Sequence, residues 1–127
     1  MFSLKASATK TTTKQRGDAA ELSALAYLNK GGLKLLVRNY RTPGRGGGEI
    51  DLVMQDKDGT LVFVEVRQRS SAAFGGALAS IGHVKQQRII LAARHYLLRF
   101  KSLPPCRFDV VVVQQGKIEW LRSAFDA

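Results

Sequence analysis

The feature that most restricts the fold of this chain is a pair of apolar segments separated by a short turn sequence. Residues 49–55 (EIDLVMQ) and 61–69 (LVFVEVRQR) are rich in β-branched and other apolar side chains, and the sequence DKDG (residues 56–59) lies between them. Such segments around a turn that contains glycine predict a β-hairpin. A three-residue loop with Gly59 in the left-handed conformation that such loops favour then fixes the register of the two strands.

This register gives the hairpin two distinct faces. One face holds three apolar pairs, Ile50 with Val66, Leu52 with Val64, and Met54 with Val62. The opposite face pairs Glu49 with Arg67, Asp51 with Glu65, and Val53 with Phe63. Because side chains alternate along a strand, a shift by one residue would mix the two sets and place charges on the apolar face. The separation therefore favours the register in which Asp51 and Glu65 are neighbours.

The predicted proximity of Asp51 and Glu65 requires compensation. Directly opposed residues have Cβ atoms roughly 5 Å apart, and like charges at that distance are destabilising. One explanation is a solvated face on which Glu49 pairs with Arg67, since exposed charges interact weakly. A bound divalent cation is the other, because two carboxylates, a main-chain carbonyl group and waters suit Mg²⁺ or Mn²⁺. Spacing alone leaves both explanations open.

The remaining segments predict a single α/β domain over residues 17–127. The predicted elements are helices at 17–28 and 83–100, strands at 33–40, 107–113 and 117–121, and a Gly-rich loop at 41–48. Apolar residues at helical spacing support the first helix, and Gly31-Gly32 is expected to end it. The order of elements predicts a mixed sheet with helices packed on it.

Net charge limits the class of partner. Twenty Lys and Arg against ten Asp and Glu give a net charge of +10, and a domain this basic attracts polyanions. An inert basic surface or an affinity for anionic lipid would also explain the charge, but no amphipathic basic helix stands out as a membrane anchor. We therefore expect a nucleic acid as partner. Residues 1–16 carry four basic residues and no acid, so they predict a flexible basic arm that adds phosphate contacts, or a leader without a role.

Other features exclude several classes of protein. Cys106 is the single cysteine, which excludes an internal disulfide and a cysteine-based zinc site. No apolar stretch approaches the roughly 20 residues that a membrane span needs. His83 and His95 lie on one predicted helix, point in different directions and have no nucleophile nearby in sequence, which argues against a Ser-His or Cys-His hydrolase. We expect a cytoplasmic protein without a membrane partner.

Two charged residues interrupt the apolar faces of the predicted helices. Glu21 precedes Leu25 by four residues, and Lys85 precedes Ile89 by four. A carboxylate on an apolar stripe is costly without a partner, so Glu21 is either a third carboxylate of the site or the partner of a nearby arginine. Lys85 either supplies an ammonium group to the site or extends that group to solvent from the first helical turn.

Five stretches together closely resemble the YraN family of bacterial proteins. They are 48–52 (GEIDL), 62–69 (VFVEVRQR), 17–28 with Glu21 inside it, Phe74-Gly75 leading to Lys85, and 107–111 (RFDVV). The resemblance covers about residues 17–113 of the chain. That family looks distantly similar to archaeal Holliday junction resolvases and to restriction-endonuclease-like nucleases. The resemblance implies an αβββαβ core with a mixed central sheet flanked by helices.

The resemblance also implies a metal-dependent endonuclease that acts on DNA, including branched or otherwise structured duplexes. The superfamily signature is a helix Glu, a strand Asp, and Glu-x-Lys on the next strand, and the matching positions here are Glu21, Asp51, Glu65 and Arg67. In such a site Asp51, Glu65 and the Val66 carbonyl group would hold Mg²⁺ or Mn²⁺. Glu21 would contribute directly or through water.

Arg67 occupies the position at which that superfamily has lysine. Arginine stays protonated at any working pH, so Arg67 cannot act as a base, but it can hold a phosphate in a bidentate contact. Lys85 is a second catalytic candidate, with an ammonium group from the second helix. The 41–48 loop either rests on the nucleic-acid backbone or is an ordinary connection. The predicted nucleic-acid contacts are Arg41, Arg45, Arg67, Arg69 and Lys85.

Three function classes stay open at this point. The first is the metal-dependent nuclease. The second is a catalytically inactive nucleic-acid-binding module on the same fold, which Arg67 favours and the two retained acids, Asp51 and Glu65, oppose. The third is a structural or interaction protein whose basicity is incidental. By analogy with the resolvases, which cut two strands with two related sites, a homodimer is one option.

Overall fold

The structure is a computed structural model, and it describes residues 13–69 and 81–127 of the 127-residue chain. Its elements are helix α1 (Thr13–Lys30), strands β1 (Lys34–Arg41), β2 (Glu49–Gln55) and β3 (Leu61–Arg69), helix α2 (His83–Leu97), and strands β4 (Cys106–Gln114) and β5 (Lys117–Phe125). This order confirms the α/β class and the predicted αβββαβ core. Phe74-Gly75, which contributed to the family resemblance, lies outside the described residues.

The five strands form one mixed sheet in the order β1-β2-β3-β4-β5. Strands β3 and β4 are parallel, and the other neighbouring pairs are antiparallel. Two adjacent parallel strands need a connection that returns the chain to the starting end of the sheet. Helix α2 lies within that connection.

The two helices cover opposite faces of the sheet. Alternate residues of a strand point to opposite sides, and the buried residues of β2 and β3 divide accordingly. The cluster on the α1 side includes Leu52, Met54, Val62 and Val64. The cluster on the α2 side includes Val53, Leu61 and Phe63. Neither α1 nor α2, the helices in the described part of the chain, has the length and apolar character needed to cross a bilayer.

The β2–β3 hairpin has the predicted register. Leu52 lies opposite Val64 and Val53 opposite Phe63. Gly59 in the connecting turn has a φ of 91°, the left-handed conformation that was expected for this loop. The hairpin could therefore be predicted from the alternation of its side chains together with its turn sequence.

The predicted face of Ile50 was wrong. Ile50 packs in the α2-side cluster and not beside Leu52 on the α1 side. It is paired with Tyr40 of β1, which also packs on the α2 side. Strand β1 is irregular near this pair, because Asn39 has a left-handed φ of 53°. This irregularity accompanies a break in the simple alternation at the start of β2.

Helix α1 begins at Thr13, four residues before its predicted start at Gly17. Residues 13–16 of the predicted flexible arm therefore belong to the helix, and residues 1–12 lie outside the described residues. Lys14 Nζ lies 3.1 Å from Asp18 Oδ2, one helical turn later. Such pairs stabilise a helix by a few tenths of a kcal/mol, which helps to extend α1 across Gly17.

The Gly31-Gly32 pair ends α1 as predicted. The Leu33 N–H donates to the Leu28 carbonyl group (3.0 Å), the Gly32 N–H donates to the Asn29 carbonyl group (3.1 Å), and Gly32 has a φ of 105°. This is a Schellman motif, in which glycine takes the left-handed position. Leu28 and Leu33 both pack in the α1-side cluster, so the motif also directs the chain into β1.

Two predicted ends in the second half of the chain were wrong. Helix α2 ends at Leu97 and not at Phe100, because the N–H groups of residues 98–100 bond to carbonyl groups three residues back instead of four. Strand β5 continues to Phe125 and not only to Leu121. The Phe125 ring stacks on Phe108 with ring centroids 4.9 Å apart, which gives the longer strand an apolar contact.

A buried carboxylate connects β4 to β5. Asp109 is fully buried. It accepts hydrogen bonds from Arg107 Nε at 3.1 Å, from Trp120 Nε1 at 2.9 Å and from the Ser123 N–H at 2.9 Å. Arg107 Nη1 in turn lies 3.0 Å from Asp56 Oδ2, beside the β2–β3 turn. The network therefore links the last strand of the sheet to the hairpin.

We expect Asp109→Asn to lower the free energy of unfolding by about 2–4 kcal/mol. The substitution removes a buried negative charge and leaves the partly buried Arg107 guanidinium with Asp56 as its remaining acidic partner. Urea denaturation measures the change. Asp18→Asn, in an exposed ion pair, is the control and should change the free energy by no more than about 0.5 kcal/mol. Equal effects of the two substitutions would contradict a stabilising role for the network.

Candidate active site

The β2–β3 hairpin brings Asp51 and Glu65 together, as predicted. Both residues adjoin the opposed pair Leu52 and Val64. The Val66 N–H donates a hydrogen bond of 2.8 Å to Asp51 Oδ2. The backbone of β3 therefore orients the Asp51 carboxylate toward Glu65.

Glu65 is the more buried member of the pair, with 6% of its surface exposed. Its Oε2 atom lies 3.5 Å from Lys85 Nζ of α2, and its Oε1 atom is buried without a hydrogen-bond partner among the described residues. Glu49, which was expected to pair with Arg67 on a solvated face, lies 3.9 Å from Arg88. The solvated-face explanation is therefore wrong, because α2 covers the side chain of Glu65.

Burial shifts the pKa values of both carboxyl groups. Burial, and then the charge of Asp51, raise the pKa of Glu65 to about 8. Burial also raises the pKa of Asp51, and the hydrogen bond from Val66 opposes that rise. When Glu65 is protonated, the two groups share a hydrogen bond. Two neighbouring, partly desolvated carboxylates cannot both carry a charge at low energetic cost.

Glu21 approaches this pair from α1 but is held by an arginine. Its Oε1 atom lies 3.5 Å from Arg38 Nη2 of β1, and this buried oxygen accepts no hydrogen bond from the described residues. Burial and then the charge of Asp51 raise the pKa of Glu21, and Arg38 lowers it. Glu21 therefore has a nearby arginine as a partner, as one of the two alternatives expected, and it also lies near enough to Asp51 to respond to its charge.

Basic side chains surround an open cavity beside Glu65. The cavity has a volume of about 350 Å³ and is lined by Glu65, Val66, Arg67, Gln68, Arg69 and Lys85. Arg67 Nε is buried without a hydrogen-bond partner in the described part of the chain. Burial, followed by the charge of Arg69, lowers the pKa of Arg67. The predicted phosphate-contacting residues of β3 and α2 thus meet in one place.

The three predicted carboxylates do not form one compact set of ligands. Within residues 13–69 and 81–127, no group of three or more His, Cys, Asp and Glu side chains is arranged to hold a metal ion. Glu21 is instead paired with Arg38. The donors at hand are the carboxylates of Asp51 and Glu65, with main-chain groups beside them.

The two loop arginines of the prediction lie elsewhere. Arg41 lines a second cavity with the 42–48 loop, and Arg45 is exposed on that loop. Two contributing residues were missed from the sequence, namely Arg38, which pairs with Glu21, and Arg88, which pairs with Glu49. Arg88 follows Lys85 by three residues on the same helix, a spacing that places both on one face. The role of Arg88 could therefore have been predicted from this spacing. The role of Arg38 could not, because it depends on how β1 packs against α1.

Comparisons with known proteins identify the family of this chain. A family model described as "Uncharacterised protein family UPF0102" matches residues 20–113. The chain belongs to the UPF0102 family. A UPF0102 protein from Paracidovorax citrulli (strain AAC00-1) is 66% identical over 120 residues, which cover 94% of this chain and 89% of that relative. One from Polaromonas naphthalenivorans (strain CJ2) is 69% identical over 125 residues, covering 91% and 82%.

The family assignment confirms the resemblance to the YraN proteins that the sequence motifs indicated. A third UPF0102 relative, from Methylibium petroleiphilum, is 62% identical over 119 residues, which cover 91% of this chain and 98% of that relative. The matched region of the UPF0102 model includes Glu21, Asp51, Glu65, Arg67 and Lys85. The candidate site therefore lies wholly within the region that the family shares.

The raised pKa of Glu65 predicts how the stability of this UPF0102 protein depends on pH. The pKa is about 8 in the folded chain against an ordinary value of 4.5, so the folded state binds more protons between these values. The free energy of unfolding contributed by Glu65 is therefore fully present below pH 4.5 and is lost as pH rises toward 8. Glu65→Gln removes this titration, so its stability relative to the unsubstituted protein should rise across the same window.

Urea denaturation at about pH 5, 7 and 9 measures this difference. Glu119→Gln, on the exposed surface of β5, is the control, and its difference from the unsubstituted protein should stay constant with pH. A constant difference for Glu65→Gln as well would contradict the assignment of the raised pKa to Glu65.

Proposed function

We propose that this UPF0102 protein is a metal-dependent endonuclease that cleaves DNA, including branched or otherwise structured duplexes. The observation that carries the proposal is the pair of adjacent, largely buried carboxylates, Asp51 and Glu65, beside a cavity lined by Arg67, Arg69 and Lys85. Carboxylate oxygens suit a divalent cation. Guanidinium and ammonium groups suit the phosphodiester that such a cation would activate.

The donor set at the pair fits Mg²⁺ or Mn²⁺. Glu65 Oε1 is a buried oxygen without a hydrogen-bond partner among the described residues, and an adjacent cation would favour the charged forms of both carboxyl groups. The Val66 carbonyl group is the proposed main-chain ligand. Glu21 would act through water, because Arg38 holds its carboxylate. A cation bound there would polarise the phosphate and lower the pKa of a bound water.

Arg67 and Lys85 would have different roles in binding and cleaving the phosphodiester. Arg67 stays protonated and so does not accept a proton from water. Its buried Nε has no hydrogen-bond partner in the described part of the chain, which leaves a donor for a phosphate oxygen. Lys85 already lies 3.5 Å from Glu65, where its ammonium group orients that carboxylate and adds positive charge next to the scissile phosphate. Both roles stabilise negative charge that develops during phosphodiester cleavage.

The basic character of the whole chain supports DNA as the substrate. A net charge of +10 favours association with a phosphate backbone, and the contacts proposed for Arg67, Arg69 and Lys85 are to phosphates. Such contacts give selectivity for shape more than for base sequence, and they weaken steeply with salt. A homodimer stays a prediction, since two related sites would cut both strands of a duplex.

A second candidate function is a nucleic-acid-binding module that does not cleave. Arg67 favours it, because this position carries a residue that cannot act as a general base. The pairing of Glu21 with Arg38 also favours it, as does the lack, within residues 13–69 and 81–127, of a group of three or more His, Cys, Asp and Glu side chains arranged to hold a metal ion. The Glu65 oxygen that accepts no hydrogen bond from the described residues favours the nuclease instead, because a binding surface for phosphate gains nothing from buried carboxylates.

Cleavage of defined DNAs distinguishes the two functions. We expect Mg²⁺- or Mn²⁺-dependent cleavage in a panel of duplex, single-stranded, flap and four-way-junction DNAs. Asp51→Asn and Glu65→Gln should lower the cleavage rate about 100-fold or more, because each removes a charged metal ligand. Glu119→Gln is the matched control and should cleave normally. Cleavage that survives in Asp51→Asn contradicts the proposed site, and tight binding without cleavage of any DNA supports the binding module.

Thermal unfolding tests the metal separately from catalysis. We expect Mn²⁺ in large excess over its Kd to raise the free energy of unfolding by about 2–3 kcal/mol, equivalent to a rise in Tm of several degrees. The rise should disappear in Asp51→Asn, because one of two carboxylate ligands is lost. Glu119→Gln again serves as the control. An equal rise in Asp51→Asn and in the unsubstituted protein would mean that the metal binds elsewhere.

A further inference from the structure

A second cavity lies next to the carboxylate pair and has no role in the proposed chemistry. Its volume is about 290 Å³, and its lining consists of Arg41, Thr42, Glu49, Arg88 and glycines of the 44–48 loop. The lining is mainly polar and largely backbone. Its side-chain charges are two guanidinium groups and one carboxylate, which leave a net charge of +1.

The loop that forms one wall of this cavity is held at its base. The Thr42 N–H donates to the Gly48 carbonyl group at 3.0 Å, and the Gly48 N–H donates to Thr42 Oγ1 at 2.7 Å. Gly44 and Gly46 have φ values of 85° and 66°, which L side chains rarely adopt. A Cβ atom at Gly48 would clash with the Arg88 carbonyl oxygen, so the loop lies directly on the α2 backbone.

The two arginines of the cavity are only loosely held. Arg88 Nη2 lies 3.9 Å from Glu49 Oε1, and Arg88 Nε lies 3.4 Å from the Gly47 carbonyl oxygen, both near the limit for such contacts. Half of the Arg88 side chain is exposed. Arg41 faces Glu49 across the β1–β2 ladder and is exposed. One carboxylate thus stands against two guanidinium groups, so the cavity has an excess of positive charge.

We infer that this cavity is a second phosphate site, which binds a non-scissile phosphodiester of the DNA strand that the carboxylate pair engages. The inference rests on the proposed function for the identity of the strand. The net charge of +1 matches the single negative charge of one phosphodiester. Arg88 would exchange its two long contacts for a direct contact with the phosphate, and Arg41 would approach from the opposite wall.

The spacing of the two cavities fits one strand. Glu49 precedes Asp51 by two strand residues, about 7 Å, and Arg88 follows Lys85 by three helix residues, about 4.5 Å. The rise of DNA is about 3.4 Å per nucleotide of one strand. That rise is measured along the helix axis, and neighbouring phosphates of one strand are farther apart than this because the backbone winds around the axis. The second phosphate would therefore be the one next to the scissile phosphate.

A pair of arginine substitutions on α2 tests the site by binding alone. The probe is a fluorescently labelled 20-base-pair duplex, titrated with EDTA present so that cleavage plays no part. Arg88→Gln should weaken binding about 3- to 10-fold at 0.1 M salt and reduce the salt dependence by about one counterion. Arg94→Gln is the matched control, because it removes the same charge from an exposed position of the same helix outside the cavity. Its effect should stay below about 2-fold.

A substitution of opposite sign completes the test. Glu49→Gln should tighten binding of the same duplex severalfold, because it removes the carboxylate that competes for Arg88 and repels phosphate. Equal losses of affinity in Arg88→Gln and Arg94→Gln would mean that Arg88 acts only through general attraction between charges. That result would overturn the site. Unchanged binding in Arg88→Gln, or weaker binding in Glu49→Gln, would also overturn it.

Failure of this inference differs from failure of the proposed nuclease. If the second site is wrong, Arg88→Gln binds normally while Asp51→Asn still abolishes cleavage. If the nuclease is wrong, no DNA is cleaved, yet the opposite effects of Arg88→Gln and Glu49→Gln on affinity remain. Titration with inorganic phosphate is the further comparison. Millimolar phosphate should remove the difference in affinity between Arg88→Gln and Arg94→Gln. That result would mean that the cavity recognises a phosphate group and not a base.

Discussion

The antiparallel pairing of β2 with β3 is the constraint on which the candidate site depends. It places two acidic side chains at one point of the sheet, and α2 then covers one of them. The register that buries the apolar side chains of β2 and β3 also makes Asp51 and Glu65 neighbours. The hairpin cannot bury the first set without bringing the two acids together. The fold thereby keeps two carboxyl groups close together at a position where burial raises the pKa of each. Lys85 offsets part of that rise from the neighbouring helix.

The chain contains a second buried acid that shows what a complete set of partners looks like. Asp109 is more buried than Glu65, yet a guanidinium group, an indole N–H and a backbone N–H all donate to it. Glu65 has one ion pair, a hydrogen bond to Asp51 only when it is protonated, and a buried oxygen that accepts no hydrogen bond from the described residues. A buried charge is stable when its hydrogen bonds are made. The difference between the two acids is the physical reason to assign structure to Asp109 and chemistry to Glu65.

Sequence patterns predicted the parts of the molecule that depend on local alternation. The hairpin, the end of α1 at Gly31-Gly32 and the proximity of Asp51 to Glu65 all follow from period-two side chains or from turn residues. The face of Ile50 could not be predicted, because the alternation of side chains breaks at the start of β2 and no residue type in the sequence marks that break. The extra length of β5 depends on a contact between aromatic rings far apart in sequence.

The pairing of Glu21 with Arg38 illustrates the same limit at the site. Spacing on the helix correctly marked Glu21 as a carboxylate in need of a partner, and it left open whether that partner was a metal or an arginine. Only the packing of α1 across β1 decides between them. Arg88 was missed although Lys85 lies one turn away, because the glycine-rich loop that it contacts shows no periodic pattern.

The contact of Gly48 with the α2 backbone has a consequence for how the two cavities are arranged. No side chain separates the loop from the helix, so the two backbones pack in direct contact. Because Lys85 and Arg88 are on that same helix, the cavity beside Glu65 and the cavity beside Glu49 share one rigid wall. The distance between the two cavities is therefore set by main-chain atoms, and it does not depend on the rotamers of the arginines that line them.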